Sequence, residues 1–203
     1  MPLKINGIFF DLGNVLVKYD ASITAKKLAE ALKISQEQVW KDLFVSGLER
    51  SYTTGKISSK EFYQKIKDHY PHRLSFEVFS EIWNNIFFEN EGMDDLVQSL
   101  AKRYPLYLIS NTNELHFDYI KSKFPVLQHF KQHFPSHEVG HRKPDEAIFR
   151  HALRESKLKA EESVFIDDIL EFIEAARRVG MHGIHFVSRE QLMSDLRQLG
   201  VSW

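Results

Sequence analysis

The chain has 203 residues, 43% hydrophobic and 13% aromatic, which excludes a disordered polymer and allows one core of ordinary size plus a smaller insert. Its net charge of −1 gives no general attraction to nucleic acid or to an anionic membrane surface. The absence of cysteine excludes a disulfide framework, a thiol nucleophile and a thiolate metal site.

The first residues, Met1 to Asn6, lack the charged-then-apolar pattern of a signal peptide. No stretch approaches the roughly 20 apolar residues of a membrane span. A cytoplasmic protein is therefore expected. The run Ile8-Phe9-Phe10-Asp11-Leu12-Gly13-Asn14 reads as a buried strand that ends in a carboxylate and then turns. Gly13 and Asn14 are residue types that tolerate a tight, partly left-handed turn. Open α/β sheets bind ligands at the carboxyl ends of their strands, which is where Asp11 stands.

Residues 21–90 change character. Their apolar positions recur at helical spacing, as in Val39, Trp40, Leu43 and Phe44, or Phe79, Ile82, Trp83 and Ile86. Ser35, Gly47, Gly55, Ser58 and Ser75 separate the blocks as turn or cap candidates, and Ser58 with Glu61 resembles a capping box. The Trp and Phe stripe reads as the core of a small helical bundle.

Beyond residue 90, helix-like segments at 94–103, 146–153 and 171–179 alternate with apolar runs at 106–109, 163–166 and 183–187. Gly180 is a helix stop. This alternation predicts an α/β fold: a doubly wound, Rossmann-like parallel sheet, interrupted after its first strand by an all-helical insert. The expected division is a core of residues 1–18 and 91–203 and a cap of residues 19–90.

Four segments carry chemistry. Asp11 is the first. In Ile109-Ser110-Asn111-Thr112-Asn113 a second strand ends in hydroxyl and amide donors. Arg142-Lys143-Pro144-Asp145 places a cation before a helix. Ile166-Asp167-Asp168 ends a third strand in paired acids. Adjacent carboxylates repel unless a cation or donors compensate them, and a hard divalent ion takes such oxygen ligands. Singly, each segment reads as a cap or a solvated charge. Together, a doubly wound sheet brings these loops to one edge, with a nucleophile, phosphate donors, a compensating cation and a metal site. His129, His133, His137 and His141 lack the compact spacing of a zinc site and read as surface histidines.

These motifs resemble those of the haloacid dehalogenase-like hydrolase superfamily, most of whose members are Mg²⁺-dependent phosphatases. Within it the strings Asp-Leu-Gly-Asn-Val, Ser-Asn-Thr-Asn, Arg-Lys-Pro and Phe-x-Asp-Asp, with Gly55-Lys56-Ile57-Ser58, are similar to small sugar-phosphate phosphatases of the α-D-glucose-1-phosphate phosphatase type. The resemblance implies an aspartyl-phosphate mechanism on a small phosphorylated metabolite, a sugar phosphate by type. Asp11 would be the nucleophile. Ser110 and the amide of Asn111 would bind the phosphoryl group. Lys143 would be catalytic and would also bind phosphate. Mg²⁺ would be held by Asp11, the carbonyl of Gly13, Asp168 and, as an orienter, Asp167. No nucleic-acid or membrane partner is implied, and oligomeric state is not set by the sequence.

The chain departs from that pattern twice. Gly13 stands where most relatives carry a second acid, which protonates the leaving oxygen. An activated ester, anomeric or aryl, needs that help least. Glu49 and His69 are substitutes by residue type. Phe172 stands where an Asp or Asn normally supports the metal shell, with Glu171 beside it as the possible replacement. The departures motivate two alternatives: a binding or regulatory protein with little turnover, and a metal-independent dehalogenase. Tyr19, Asp20, Glu49, Arg50, Tyr52 and His116 are the candidates for contact with the substrate.

Overall fold

The computed structural model describes residues 4–71 and 73–203. Its centre is a parallel sheet of five strands: β1 (Gly7–Phe10), β4 (Leu106–Ser110), β5 (Gln132–Pro135), β6 (Ser163–Asp167) and β7 (His182–His185), in the order β5-β4-β1-β6-β7. Each of the four pairings between neighbours is parallel. The expected strands at 8–11, 106–109, 163–166 and 183–187 are present with small shifts at their ends.

Alternation of side chains divides the sheet's apolar residues between two faces. Ile8, Phe10, Leu106, Leu108, Val164 and Ile166 pack with helices α6 (Met93–Ala101) and α11 (Arg189–Gln198). Phe9, Tyr107, Ile109 and Phe165 pack with α9 (Glu146–Ser156) and α10 (Leu170–Arg178). A sheet covered on both faces has strands that are apolar at every position, which is why they were legible as continuous runs.

The insert consists of α1 (Ala21–Leu32), α2 (Gln36–Trp40), a π-helical turn (Lys41–Val45), α3 (Leu48–Thr53), α4 (Ser59–His69) and α5 (Phe76–Asn84). Ser35, Ser58 and Ser75 cap α2, α4 and α5 as expected, and Ser58 with Glu61 forms the full capping box. Leu28, Val39, Phe62, Ile66 and Phe79 form a separate apolar cluster among these helices.

Two features were not legible in the sequence. A two-stranded antiparallel ribbon, β2 (Val17–Tyr19) with β3 (Phe87–Glu89), flanks the helices where the chain leaves and re-enters the core. Three-residue strands are too short to show a period. Strand β5 lies in the stretch whose histidines read as surface residues and for which no strand was expected; only its last two residues are buried. It is an edge strand and therefore lacks a continuous apolar run. The remaining helices are α7 (Glu114–Lys123) and α8 (Ser136–Val139). Among the described residues, no helix is long and apolar enough to cross a membrane.

Candidate active site

The carboxyl edge of the sheet gathers the four motifs. Asp11 follows β1, and its main-chain N–H donates to the carbonyl of Ile166 at 2.8 Å, tying the first motif to β6. Ser110 closes β4 and Asp167 closes β6, both buried. Lys143 reaches between the carboxylates: its Nζ lies 2.7 Å from Asp11 Oδ1 and 2.6 Å from Asp167 Oδ2, with its side chain wholly buried. The carboxylates of Asp11, Asp167 and Asp168 offer oxygens within 4.8 Å of one another.

Burial sets the electrostatics. It raises the Asp11 carboxyl to about 6, against the lowering effect of Lys143, and the charge of Asp167 adds to the rise. Burial likewise raises Asp167, opposed by Lys143. Asp168 is raised by burial and then by the charge of Asp11, while Asn14 Nδ2 donates to its Oδ2 at 3.2 Å. Burial alone would lower Lys143, but the combined charges of Asp11 and Asp167 outweigh it and hold the ammonium above its ordinary value. Three carboxylates and one ammonium leave an excess of negative charge, which a divalent cation would relieve. The donor set fits a hard, oxygen-seeking ion such as Mg²⁺.

The loop carrying Lys143 is fixed through Asn111. Its Oδ1 accepts from the main-chain N–H of Lys143 at 2.8 Å, and its Nδ2 donates to the Lys143 carbonyl at 2.9 Å. The Asn111 side chain therefore braces the lysine. The helix after the motif is capped by Asp145, whose side chain accepts from Ala147 N–H, whereas Pro144 follows a cis peptide bond and lies ahead of the helix.

Gly13 is glycine for a reason other than its torsion angles. The left-handed residue of the turn is Asn14, at φ 56°. A Cβ on Gly13 would instead meet the ring of Tyr19. Tyr19 is raised by burial and then by the charges of Asp168, Asp11 and Glu49. Phe172, at the departure in the fourth motif, turns its ring toward Lys143 Nζ, 5.1 Å from the ring centroid, while Phe165 faces the same ammonium at 5.3 Å. Glu171 is exposed in the first turn of α10 and does not join the three carboxylates, so it does not replace the missing partner.

A cavity of 360 Å³ opens over Asp11 and Lys143 between the sheet edge and the insert. Tyr19, Glu49 and His116 line it. Asp20 instead caps α1 through a bond from Ser22 N–H, and Arg50 is exposed. Tyr52 is buried in the cluster of the insert with its hydroxyl 2.7 Å from Ser59 Oγ. His69 faces Asp42 away from this cavity. The Trp and Phe stripe is only in part bundle core: Trp40, Phe44 and Trp83 also line the cavity. His129, His133, His137 and His141 are engaged separately, and among the described residues the single group suited to a metal is the aspartate trio.

The insert is joined to the core by polar contacts that the sequence did not suggest. Ser136 Oγ donates to the Thr53 carbonyl at 2.5 Å and accepts from Thr112 N–H at 3.0 Å. Arg142 Nη1 bridges Glu49 Oε2 at 3.1 Å and Thr53 Oγ1 at 3.0 Å. Ser59 Oγ donates to Glu114. Gly55 packs against the main chain of His137.

The family model of haloacid dehalogenase-like hydrolases matches residues 5–180. The chain is 26% identical over 183 residues to a D-ribitol-5-phosphate phosphatase of Bacteroides thetaiotaomicron, covering 87% of this chain and 89% of that protein. It is 25% identical over 209 residues to drimenol cyclase of Aspergillus calidoustus; that match takes in 96% of this chain but spans only 36% of the relative's length. Among solved structures, a haloacid dehalogenase family enzyme of Bacteroides thetaiotaomicron in complex with magnesium and inorganic phosphate aligns with a TM-score of 0.82 at 24% identity, over 91% of this chain and 96% of that one. Motifs, fold and family match agree: the chain belongs to the haloacid dehalogenase-like hydrolases.

Proposed function

We propose that the protein is a Mg²⁺-dependent phosphomonoester hydrolase that acts on a small phosphorylated metabolite through an aspartyl phosphate. The observation that carries this reading is Lys143 Nζ seated between Asp11 and Asp167, with Asp168 completing a carboxylate trio at the floor of a cavity. Asp11 attacks phosphorus through a carboxylate oxygen, the ester P–O bond breaks, and the alcohol leaves with its electron pair and takes a proton from solvent. Water then attacks the aspartyl phosphate, releasing phosphate and restoring Asp11. Ser110 and the main-chain amide of Asn111 orient the phosphoryl group, and Lys143 offsets its charge. Asp11, Asp168 and the carbonyl of Gly13 would hold Mg²⁺, with Asp167 as orienter; the ion supplies charge neutralisation at the phosphoryl oxygens.

The relatives support the reading. One is named for a sugar-alcohol phosphate, and one structural neighbour holds magnesium and phosphate. A sugar phosphate is the substrate suggested by the sequence motifs and by that relative. A metal-independent dehalogenase is disfavoured, because two further acids beside Asp11 would oppose a carboxylate nucleophile in the absence of a cation. The test is phosphate release from a panel of esters with Mg²⁺ and with chelator, beside Asp11→Asn. Metal-dependent release that disappears in the variant is expected. Release that persists in Asp11→Asn, or its complete absence in the wild type, would overturn the proposal.

A further inference from the structure

The wall of the cavity is chemically unlike its floor. Six ring-bearing side chains run round it in sequence. Trp40 and Phe44 have centroids 4.5 Å apart, and Phe44 stacks on Trp83 at 6.4 Å. Trp83 stacks on His116 at 5.2 Å, His116 meets the edge of Phe87 at 4.9 Å, and Phe87 lies 6.3 Å from Tyr19. All six line the cavity that opens on Asp11.

Most of the polar atoms between these rings are already engaged. His116 Nε2 donates to the Trp83 carbonyl at 2.9 Å, and its Nδ1 accepts from Asn113 Nδ2 at 3.1 Å. Asn113 Oδ1 accepts from His116 N–H and from Trp83 Nε1. Thr24 Oγ1 donates to the Ile82 carbonyl at 3.0 Å. Glu49 and Arg142 are paired with each other. A polyol placed here would give up water for a wall that is mostly ring face, and each hydroxyl left unpaired lowers affinity by roughly tenfold. A hydrocarbon surface would lose nothing and would gain burial and ring contact.

We infer that the alcohol half of the substrate is apolar: the site takes a phosphate monoester of a hydrocarbon-bodied alcohol, ring or chain, in preference to a sugar phosphate. This rests on the phosphatase reading and narrows its substrate class. The experiment compares primary-alcohol esters, so that the chemistry of the leaving oxygen is matched: ethyl, n-octyl, benzyl and 2-naphthylmethyl phosphate against D-ribitol 5-phosphate. Expected is a rise in kcat/KM with apolar size, roughly threefold to fourfold per buried methylene, with the larger apolar esters at least tenfold above the polyol ester. Trp40→Ala, at a half-exposed position, should lower the naphthylmethyl-to-ribitol ratio by at least fivefold.

If ribitol phosphate matches or exceeds the apolar esters while phosphate is still released, the inference fails and the phosphatase reading stands. If no ester is hydrolysed, the phosphatase reading fails. The same intact esters are then titrated by tryptophan fluorescence, where tighter binding of the naphthylmethyl ester supports the apolar wall and tighter binding of the ribitol ester overturns it.

Discussion

A Cβ built on Gly13 would lie 2.9 Å from Cε1 of Tyr19. The space that a second acid after the nucleophile would need is filled by an aromatic ring from the ribbon. The leaving oxygen thus has no carboxyl donor from position 13, and turnover should depend steeply on the acidity of the alcohol. Phenyl phosphate is expected to react at least tenfold faster than benzyl phosphate in kcat. Gly13→Asp alone should reduce activity by displacing Tyr19, whereas Gly13→Asp with Tyr19→Ala should narrow the phenyl-to-benzyl gap. Equal rates for the two esters in the wild type would refute the argument.

Lys143 is the cation inside a buried acidic cluster, so its removal leaves two carboxylates uncompensated. Lys143→Met should destabilise the fold by about 3–5 kcal/mol in urea denaturation and reduce phosphate release at least a hundredfold. Mg²⁺ should recover part of the stability and none of the rate.

Phe172 offers no oxygen or nitrogen to the carboxylate trio. Phe172→Asp should tighten the activation constant for Mg²⁺ by about tenfold, measured as rate against metal concentration, because supporting partners tune a metal shell. An unchanged constant would mean that the aspartates need no such support.

His116 should make the fold acid-sensitive in a defined window. Burial lowers its ring from 6.5 to about 4, against the opposing hydrogen bond to Trp83. Above the unfolded value neither state carries the proton, and the native state keeps its full stability. Between 6.5 and about 4 the unfolded chain binds a proton that the native chain refuses, so stability falls as pH falls. The loss is on the order of 3 kcal/mol and levels off below that window. The urea midpoint of His116→Gln should show a shallower slope over the same range.

Gly55 sits at φ 67°, where a Cβ would come 2.1 Å from the carbonyl oxygen of His137. That oxygen belongs to the main chain and cannot rotate aside. Gly55→Ala should lower stability by about 2 kcal/mol or more. It should also raise KM by shifting the insert off the sheet edge. Urea melts and steady-state kinetics on one ester read both effects.

The central strands were readable because both faces of the sheet are covered, which makes them apolar at every position. The edge that carries the candidate site was readable because Asp11 directly follows such a strand and Ser110 and Asp167 each end one. Contacts between distant segments left no local trace. Nothing in the string around Tyr19 announces that its ring displaces a side chain at Gly13. Ser136 looks like any helix-start serine until Thr53 is seen against it. The Trp40 and Phe44 pair followed helical spacing, and spacing alone does not tell a bundle core from a cavity wall. Ridges on both surfaces obey the same 3.6-residue period.

The chain passes from sheet to insert through Val17–Tyr19 and returns through Phe87–Glu89, paired as a ribbon. Tyr19 and Phe87, opposite each other in that ribbon, are also two of the rings that line the cavity. Any change of angle between the insert and the sheet must be taken up at these strands. The crossing points of the chain and part of the cavity wall are therefore the same few residues. A molecule held between the two rings would press on the crossing itself, and the angle of the insert would answer to the shape of what the cavity holds.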